Sequence, residues 1–107
     1  MKQCLIVETR DPVEHRDAEG TAALGSGMAA IGVPTAILLA ENAAAGARAG
    51  VAPYLEALVR DGIAVSVDRV AMKERGIAED ELVPGLAPAD IEIVVDWLEA
   101  GATVIWR

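Results

Sequence analysis

The stretch YLEALVRDGIAVSVDRVAMKERG, residues 54–76, decides the fold. Its apolar residues first recur every three or four positions, then run together after Gly62, and then give way to a charged segment that ends at Gly76. This pattern predicts a helix, a glycine turn, a buried strand over residues 63–67 and a second helix over residues 70–76. In open parallel sheets, ligands usually bind where the chain leaves the carboxyl end of such a strand.

The rest of the chain continues the alternation of strands and helices. Further strands are predicted at residues 2–8, 35–40, 82–86 and 102–106, and residues 41–50 are predicted to form a loop or a loose helical turn. Further helices are predicted at residues 13–31 and from Pro88, which suits a first helical turn, to Gly101. The alternation predicts a single α/β domain over residues 1–107, a three-layer sandwich with a mainly parallel sheet of about five strands.

Apolar spacing assigns one face of two helices to the core. In the helix that begins near Pro53, that face carries Leu55, Leu58 and Val59. In the last helix, it carries Ile91, Val94, Val95 and Leu98.

The chain is acidic, apolar and poor in aromatic residues. Its 107 residues carry a formal net charge of −8; 53% are hydrophobic and 3% are aromatic. An acidic surface repels phosphate groups and few rings are present to stack on bases, so neither nucleic acid nor an anionic membrane is expected as a partner. No apolar run reaches the ~20 residues of a bilayer span, and the amino-terminal run is too short for a signal peptide, so we expect a cytoplasmic protein. The apolar content predicts self-association, with Trp97 and Trp106 as anchors of the core or of a subunit contact.

Several segments of the carboxyl-terminal half form a set. They are LEAL at residues 55–58, GIAV at 62–65, MKERGI at 72–77, EDELVPG at 79–85 and VDWLEA at 95–100. Together with the first predicted strand, the polar residues that follow it and the alanine-rich helix predicted at residues 13–31, they resemble the DsrE/DsrF/TusD-like family of small sulfur-relay proteins over nearly the whole chain. The resemblance implies an α/β sandwich that assembles into dimers, trimers or hexamers.

The chain departs from this family at the position of its catalytic sulfur. Catalytic members carry a sulfur-accepting cysteine just after the third strand, where this chain has Ala71, and the neighbouring position that is sometimes cysteine is Asp68. The acidic-glycine loop that often follows the second strand is replaced by residues 41–43, ENA. Persulfide transfer needs a thiolate nucleophile, and Ala71 cannot supply one. The resemblance therefore implies a member that is not a sulfur carrier of the usual type, with its own copies or a sulfur-relay protein as partners.

Polar residues cluster where three predicted strands end. The carboxyl ends of parallel strands share one edge of a sheet, so a pocket for a small ligand is predicted there. Its residues are Thr9, Arg10, Glu41, Asn42, Asp68, Arg69 and, by the resemblance, Ala71. The alternative, that these are solvated loop charges with Asp68 capping the following helix, stays open.

The chain has one imidazole and one thiol. His15 follows the first strand among carboxylates, and an acid/base pair of His15 and Asp68, with Arg69 holding an anion, is a candidate catalytic group. The alternative is a solvated loop histidine. Cys4 lies near the start of an apolar strand, which predicts an inert core thiol. A single cysteine excludes an internal disulfide and a cysteine-cluster metal site, and neither a metal nor a cofactor is predicted.

Three functions remain open from the sequence. The favoured one is a non-catalytic, oligomeric DsrE-like protein that binds a small ligand or a sulfur-relay partner. The second is a cysteine-less subunit of a hetero-oligomeric sulfurtransferase complex. The third is an enzyme of unknown reaction that uses His15, Asp68 and Arg69.

Overall fold

Five strands form one parallel sheet, with helices on both of its faces. The computed structural model describes residues 2–15 and 18–107, without the side chains of residues 18 and 19. The elements, in chain order, are β1 (Cys4–Glu8), α1 (Ala18–Ala30), β2 (Thr35–Leu39), a 3₁₀ helix (Glu41–Ala47), α2 (Pro53–Arg60), β3 (Ala64–Asp68), α3 (Arg69–Glu74), a second 3₁₀ helix (Glu79–Glu81), β4 (Ala87–Ala89), α4 (Ile93–Glu99) and β5 (Thr103–Trp106). The strand order is β4-β3-β2-β1-β5, and the four pairings between these strands are parallel. The predicted three-layer α/β sandwich is confirmed.

The two neighbouring strands β1 and β2 are apolar because both of their faces are covered. Every residue of β1 is buried, and in β2 only Thr35 is not. Alternate residues of a strand point to opposite faces, which divides the core in two. On what we call the first face lie Cys4, Ile6, Ile37, Leu39, Val65 and Val67. On the second face lie Leu5, Val7, Ala36 and Leu38.

Small residues bring α1 close to the first face. A Cβ built on Gly25 would lie 3.3 Å from the Cδ1 atom of Ile37, so the helix packs tightly on the sheet at this position. The sequence predicts this helix from residue 13, but it begins at Ala18. The backbone N–H of Val13 donates to the Asp11 carboxylate at 2.8 Å, a local turn that competes with helix formation. Residues 16 and 17 of the predicted helix lie outside the described residues.

The helix α2 confirms the face that the apolar spacing assigns to it. It begins at Pro53, and both Leu55 and Leu58 are buried against the sheet. Gly62 follows it with φ of +84°, the left-handed conformation in which glycine commonly ends a helix. The segment from residue 54 that decides the fold therefore forms the elements predicted for it.

The region between α3 and α4 differs from its prediction. The strand predicted at residues 82–86 is absent; β4 lies at Ala87–Ala89, and Pro88 is inside it rather than at the start of the last helix, which begins at Ile93. Proline lacks the N–H of a ladder, but it is tolerated here because β4 is an edge strand, paired with β3 alone among the strands that the structure describes. Leu82 and Val83 are buried in the first-face core without being part of a strand, which explains why this segment is apolar.

The apolar face predicted for α4 is wrong at three of its four positions. Val94 is buried, and the side chains that join it against the second face are Ile93 and Trp97. The three remaining members of the predicted face, Ile91, Val95 and Leu98, are 43%, 52% and 55% exposed. Apolar residues cover more of this helix than one sheet can bury, so the spacing alone could not select the inward side.

Helix length bears on the membrane prediction. A bilayer span needs ~20 apolar residues, and α1 has 13. Within the described residues, no helix is long and apolar enough to cross a membrane.

Candidate functional site

Three strand ends meet at one edge of the sheet. The parallel register aligns Glu8 with Leu39, and Leu39 with Val67, so the chain leaves β1, β2 and β3 at the same level. The polar residues predicted for a ligand pocket therefore lie on neighbouring exits. Their side-chain contacts decide what the edge can do.

The exit of β1 is built on a buried carboxylate. Glu8 is 1% exposed. Its carboxylate accepts a hydrogen bond from the Thr21 hydroxyl at 2.7 Å and forms an ion pair with the Arg10 Nε at 3.2 Å. Thr9 donates through its hydroxyl to the Arg107 carbonyl at 2.7 Å. Glu8 is not among the predicted site residues, although its place two residues after Ile6 puts it on the buried first face. Its burial fixes the side chain of Arg10 at the sheet edge.

The exit of β2 leads directly into the first 3₁₀ helix. Glu41 is exposed, and Asn42 accepts a hydrogen bond from the Arg75 guanidinium at 2.9 Å. The predicted loop or loose turn is an ordered helix because its small side chains pack closely; the buried residues are Ala43, Ala44, Gly46 and Ala47. A Cβ on Gly46 would lie 2.5 Å from the Cγ atom of Pro12, so the loop after β1 is packed directly on this helix.

The exit of β3 directs its polar residues away from β1. Asp68 caps α3 by accepting from the Val70 backbone N–H at 3.4 Å, as the alternative interpretation has it. Arg69 is exposed and pairs with Asp90 at 3.2 Å and with Glu79 at 3.7 Å. These partners lie on the side of β4. Arg69 therefore lines a separate cleft of about 260 Å³, together with Met72, Lys73, Ile77 and Pro88.

The methyl group of Ala71 faces the core. This residue is 2% exposed and belongs to the first-face cluster, whereas the preceding Val70 is 61% exposed. The position to which the resemblance assigns a cysteine is therefore closed to solvent in this chain.

Two arginines that the sequence analysis did not single out as site residues tie the exits together. Arg75 is half-buried and donates to the Ala71 carbonyl at 3.1 Å as well as to Asn42. Arg48 donates to the Arg75 carbonyl at 3.4 Å and to the Glu81 carboxylate at 3.1 Å. The Arg75 guanidinium reaches back along the short helix and satisfies the carbonyl of Ala71.

The carboxylate of Glu81 is held in its ionised form. It accepts a backbone hydrogen bond from Ala78 at 2.9 Å, and this bond, followed by the charge and hydrogen bond of Arg48, lowers its pKa from the ordinary value of 4.5. The second 3₁₀ helix is thereby attached to the first. The result is a polar network that braces the edge, with no substrate needed to explain it.

The thiol and the imidazole do not join this edge. Cys4 is 1% exposed in the first-face core, and burial raises the pKa of its thiol. The prediction of a core cysteine is confirmed. His15 is exposed. Among the described residues, the hydrogen bonds and ion pairs of Asp68 and Arg69 are made with groups other than the His15 imidazole. Described His, Cys, Asp and Glu side chains form no group of three that could hold a metal ion.

Comparison with known proteins identifies the family. The model of the DsrE/DsrF-like family matches residues 28–106. The chain belongs to the DsrE/DsrF-like family. A comparison with curated proteins found no match.

Three solved structures share the DsrE/DsrF-like fold of this chain. The ychN protein from E. coli is 16% identical with a TM-score of 0.89, and the match covers 100% of both chains. The protein MTH1491 from Methanobacterium thermoautotrophicum is 12% identical with a TM-score of 0.84 and coverage of 99% and 98%. The protein BT1422 from Bacteroides thetaiotaomicron is 15% identical with a TM-score of 0.80 and coverage of 99% and 95%. At these identities the likeness concerns the fold alone, while the family supports a small protein of the sulfur-relay type.

Proposed function

We propose that this DsrE-like chain is a non-catalytic, cytoplasmic homo-oligomer that binds a small ligand or a sulfur-relay partner without carrying sulfur itself. The observation that carries the proposal is the burial of its only thiol. Cys4 is 1% exposed, and the position of the family cysteine is Ala71, which is 2% exposed.

Persulfide chemistry requires an accessible thiolate. The thiolate is the attacking species, and a raised pKa keeps the Cys4 thiol protonated near neutral pH. A sulfur donor would also have to reach it through the helices that cover the first face. Both factors act in the same direction, against covalent sulfur transfer.

The cleft beside Arg69 is the best candidate for a small ligand. Its lining combines the apolar residues Met72, Ile77 and Pro88 with the charged residues Arg69, Lys73 and Glu79. Arg69 is already paired with two carboxylates, so the local charge is balanced rather than strongly positive. This balance favours a small amphipathic ligand over a polyphosphate.

A persulfide-loading experiment tests the proposal. The native protein is incubated with a persulfide donor, and its mass is measured intact. We expect no added sulfur on the folded chain, and rapid modification of the same chain in urea, which shows that the donor is active and that burial protects Cys4. Stoichiometric sulfur on the native protein, lost in the Cys4→Ala variant, would refute the proposal.

A second candidate is a cysteine-less subunit of a hetero-oligomeric sulfurtransferase complex. The observation that favours it is an intact family scaffold around an alanine at the cysteine position. Purification of the tagged chain from its native host separates the two candidates. A stoichiometric sibling chain that carries the cysteine would support the second candidate, and a pure homo-oligomer would support the first.

A further inference from the structure

We propose that the outer flank of α4 and the open edge of β5 form the surface on which a second copy of this chain docks, with the two β5 strands antiparallel across a twofold axis. The inference deepens the proposed function, because it rests on the homo-oligomer and names its contact. Three features support it: the wide apolar surface of α4, the position of Trp106, and the outward backbone N–H and C=O groups of β5.

The apolar surface of α4 is wider than the sheet can cover. Successive residues advance by roughly 100° around a helix, which divides α4 into three sectors. The sector against the sheet holds Ile93, Val94 and Trp97. Next to it lies an exposed apolar sector with Val95 and Leu98, which Ile91 extends in the turn before the helix. The remaining sector is acidic, with Asp96 and Glu99 following the cap residue Glu92. The exposed apolar sector is thus continuous with the core.

Topology places this exposed sector on the side of β5. The chain crosses the second face from β4 to β5, and α4 runs antiparallel to the strands. Parallel strands are joined by right-handed crossovers. In such a crossover the helix is right-handed too, so the sector that comes after the sheet-facing sector, in the direction in which the helix winds, faces the side of the next strand. That strand is β5. The acidic sector lies on the opposite flank, toward β3.

Trp106 extends the same apolar surface. It pairs in register with Val7, whose side chain lies on the second face, so its indole is on the side of the sheet that carries α4. It is 60% exposed. Trp106 therefore lies on the same side of the sheet as the exposed residues Ile91, Val95 and Leu98.

The edge of β5 is suited to pairing. Thr103 and Arg107 donate their N–H groups toward β1, to Gln3 and Val7 at 2.9 Å each, so the alternate residues Val104 and Trp106 direct their backbone groups outward. In the described part of the chain, β1 is the one strand that pairs with β5. The opposite edge of the sheet is three residues long and contains Pro88, which blocks extension.

A second copy is the occupant that fits this surface. In an antiparallel pair centred on Ile105, Val104 of each copy faces Trp106 of the other, and their outward N–H and C=O groups satisfy one another. The four exposed side chains offer on the order of 400 Å² of apolar surface per copy, so two copies with their strand edges approach the ~1,200 Å² at the lower bound of stable interfaces. Because the acidic sectors face away, two copies of net charge −8 meet without opposing carboxylates.

Light scattering during size-exclusion chromatography tests the surface with a matched pair of variants. Val95→Glu places a charge on the proposed interface, and Val70→Glu places the same charge on an exposed valine of α3. We expect the full chain to run as a dimer or as a multiple of one, Val95→Glu to weaken the association at least tenfold, and Val70→Glu to leave it unchanged. Equal urea midpoints for monomers of the two variants, at matched concentration, show that folding is intact.

A cross-link tests the register. An Ile105→Cys variant places two thiols opposite each other at the twofold axis, where the Cβ atoms of a non-hydrogen-bonded pair are close enough for a disulfide. Oxidation should convert it to a covalent dimer, whereas Val70→Cys should remain uncross-linked. An oligomer that survives Val95→Glu, a dimer with no Ile105→Cys cross-link, or a partner that is a different protein would each overturn the inference. A monomer at all concentrations would overturn the inference and the homo-oligomer, while sulfur loading of Cys4 would refute the proposed function and leave the interface standing.

Discussion

Gly46→Ala should destabilise this protein although alanine is the better helix former. Gly46 lies inside the first 3₁₀ helix, and a Cβ there would be 2.5 Å from the Pro12 Cγ atom and 3.0 Å from its Cδ atom. Contacts this short between carbon atoms do not occur without movement. The added methyl group must therefore displace either the helix or the loop that follows β1.

The size of the loss follows from two opposing effects. Overpacking of this kind costs about 1–3 kcal/mol, because the pyrrolidine ring is rigid and cannot fold away. The loop is also braced, since Asp11 accepts hydrogen bonds from the Val13 and His15 backbone N–H groups, and so it moves as a unit. Removing a glycine from the unfolded chain returns about 0.4–1 kcal/mol. The net expectation is a loss of roughly 1–2 kcal/mol, or several degrees in Tm.

Gly27→Ala is the matched control. Gly27 is exposed within α1, and no atom lies within 4 Å of a Cβ built on it. The same substitution there should raise stability by up to about 1 kcal/mol, through helix propensity alone. Urea unfolding at one fixed protein concentration measures both variants, so that any oligomer contributes equally.

The contact with Pro12 is isolated by a double-mutant cycle. Pro12→Ala removes the ring that the new methyl group meets, so in the Gly46→Ala background it should restore most of the lost free energy. A Gly46→Ala variant that is neutral or stabilising like Gly27→Ala, or a loss that Pro12→Ala leaves unchanged, would contradict a clash between these two side chains.

Three further predictions concern single side chains. Leu58→Ala should lower the free energy of unfolding by ~2–5 kcal/mol, because the side chain is buried under α2; a urea-measured loss below ~0.5 kcal/mol would contradict the face assignment. Thr21→Val should cost ~1–3 kcal/mol, because it removes the 2.7 Å donor of the buried Glu8 carboxylate, whereas Thr21→Ser keeps the hydroxyl and should cost less in the same urea assay. The lowered pKa of Glu81 means that its stabilising effect is present above pH 4.5 and lost as the pH falls through the folded-state pKa. The stability difference between the native chain and Glu81→Gln should therefore shrink on acidification in urea titrations, and a difference that grows would contradict the assigned sign.

The fold could be predicted from the sequence wherever burial was complete on both sides. One secondary structure and one buried side are possible for β1, β2 and the apolar face of α2, because any other choice would expose several large apolar side chains. The segment from residue 82 to 98 allowed more than one. Leu82 and Val83 have the apolar character of a strand, but they follow the second 3₁₀ helix and are buried in the first-face core. Pro88 suits an edge strand as well as the start of a helix.

The site was less predictable because its contacts join residues distant in sequence. Parallel topology was enough to bring the three exits to one edge, but it could not direct the side chains. Arg69 turns to Asp90, 21 residues later, and Arg75 reaches Asn42, 33 residues earlier. Neither separation corresponds to a spacing that a sequence pattern displays.

The phase of α3 gives the missing family cysteine a further meaning. The cap at Asp68 and the burial of Met72 fix the rotation of this six-residue helix, which turns position 71 inward and position 70 outward. A thiol restored at Ala71 would enter the same apolar cluster as Cys4, where burial raises the pKa and hinders donors. We therefore expect that an Ala71→Cys variant does not become a persulfide carrier. The inward position of residue 71 therefore supports the proposed non-catalytic role independently of which residue stands there.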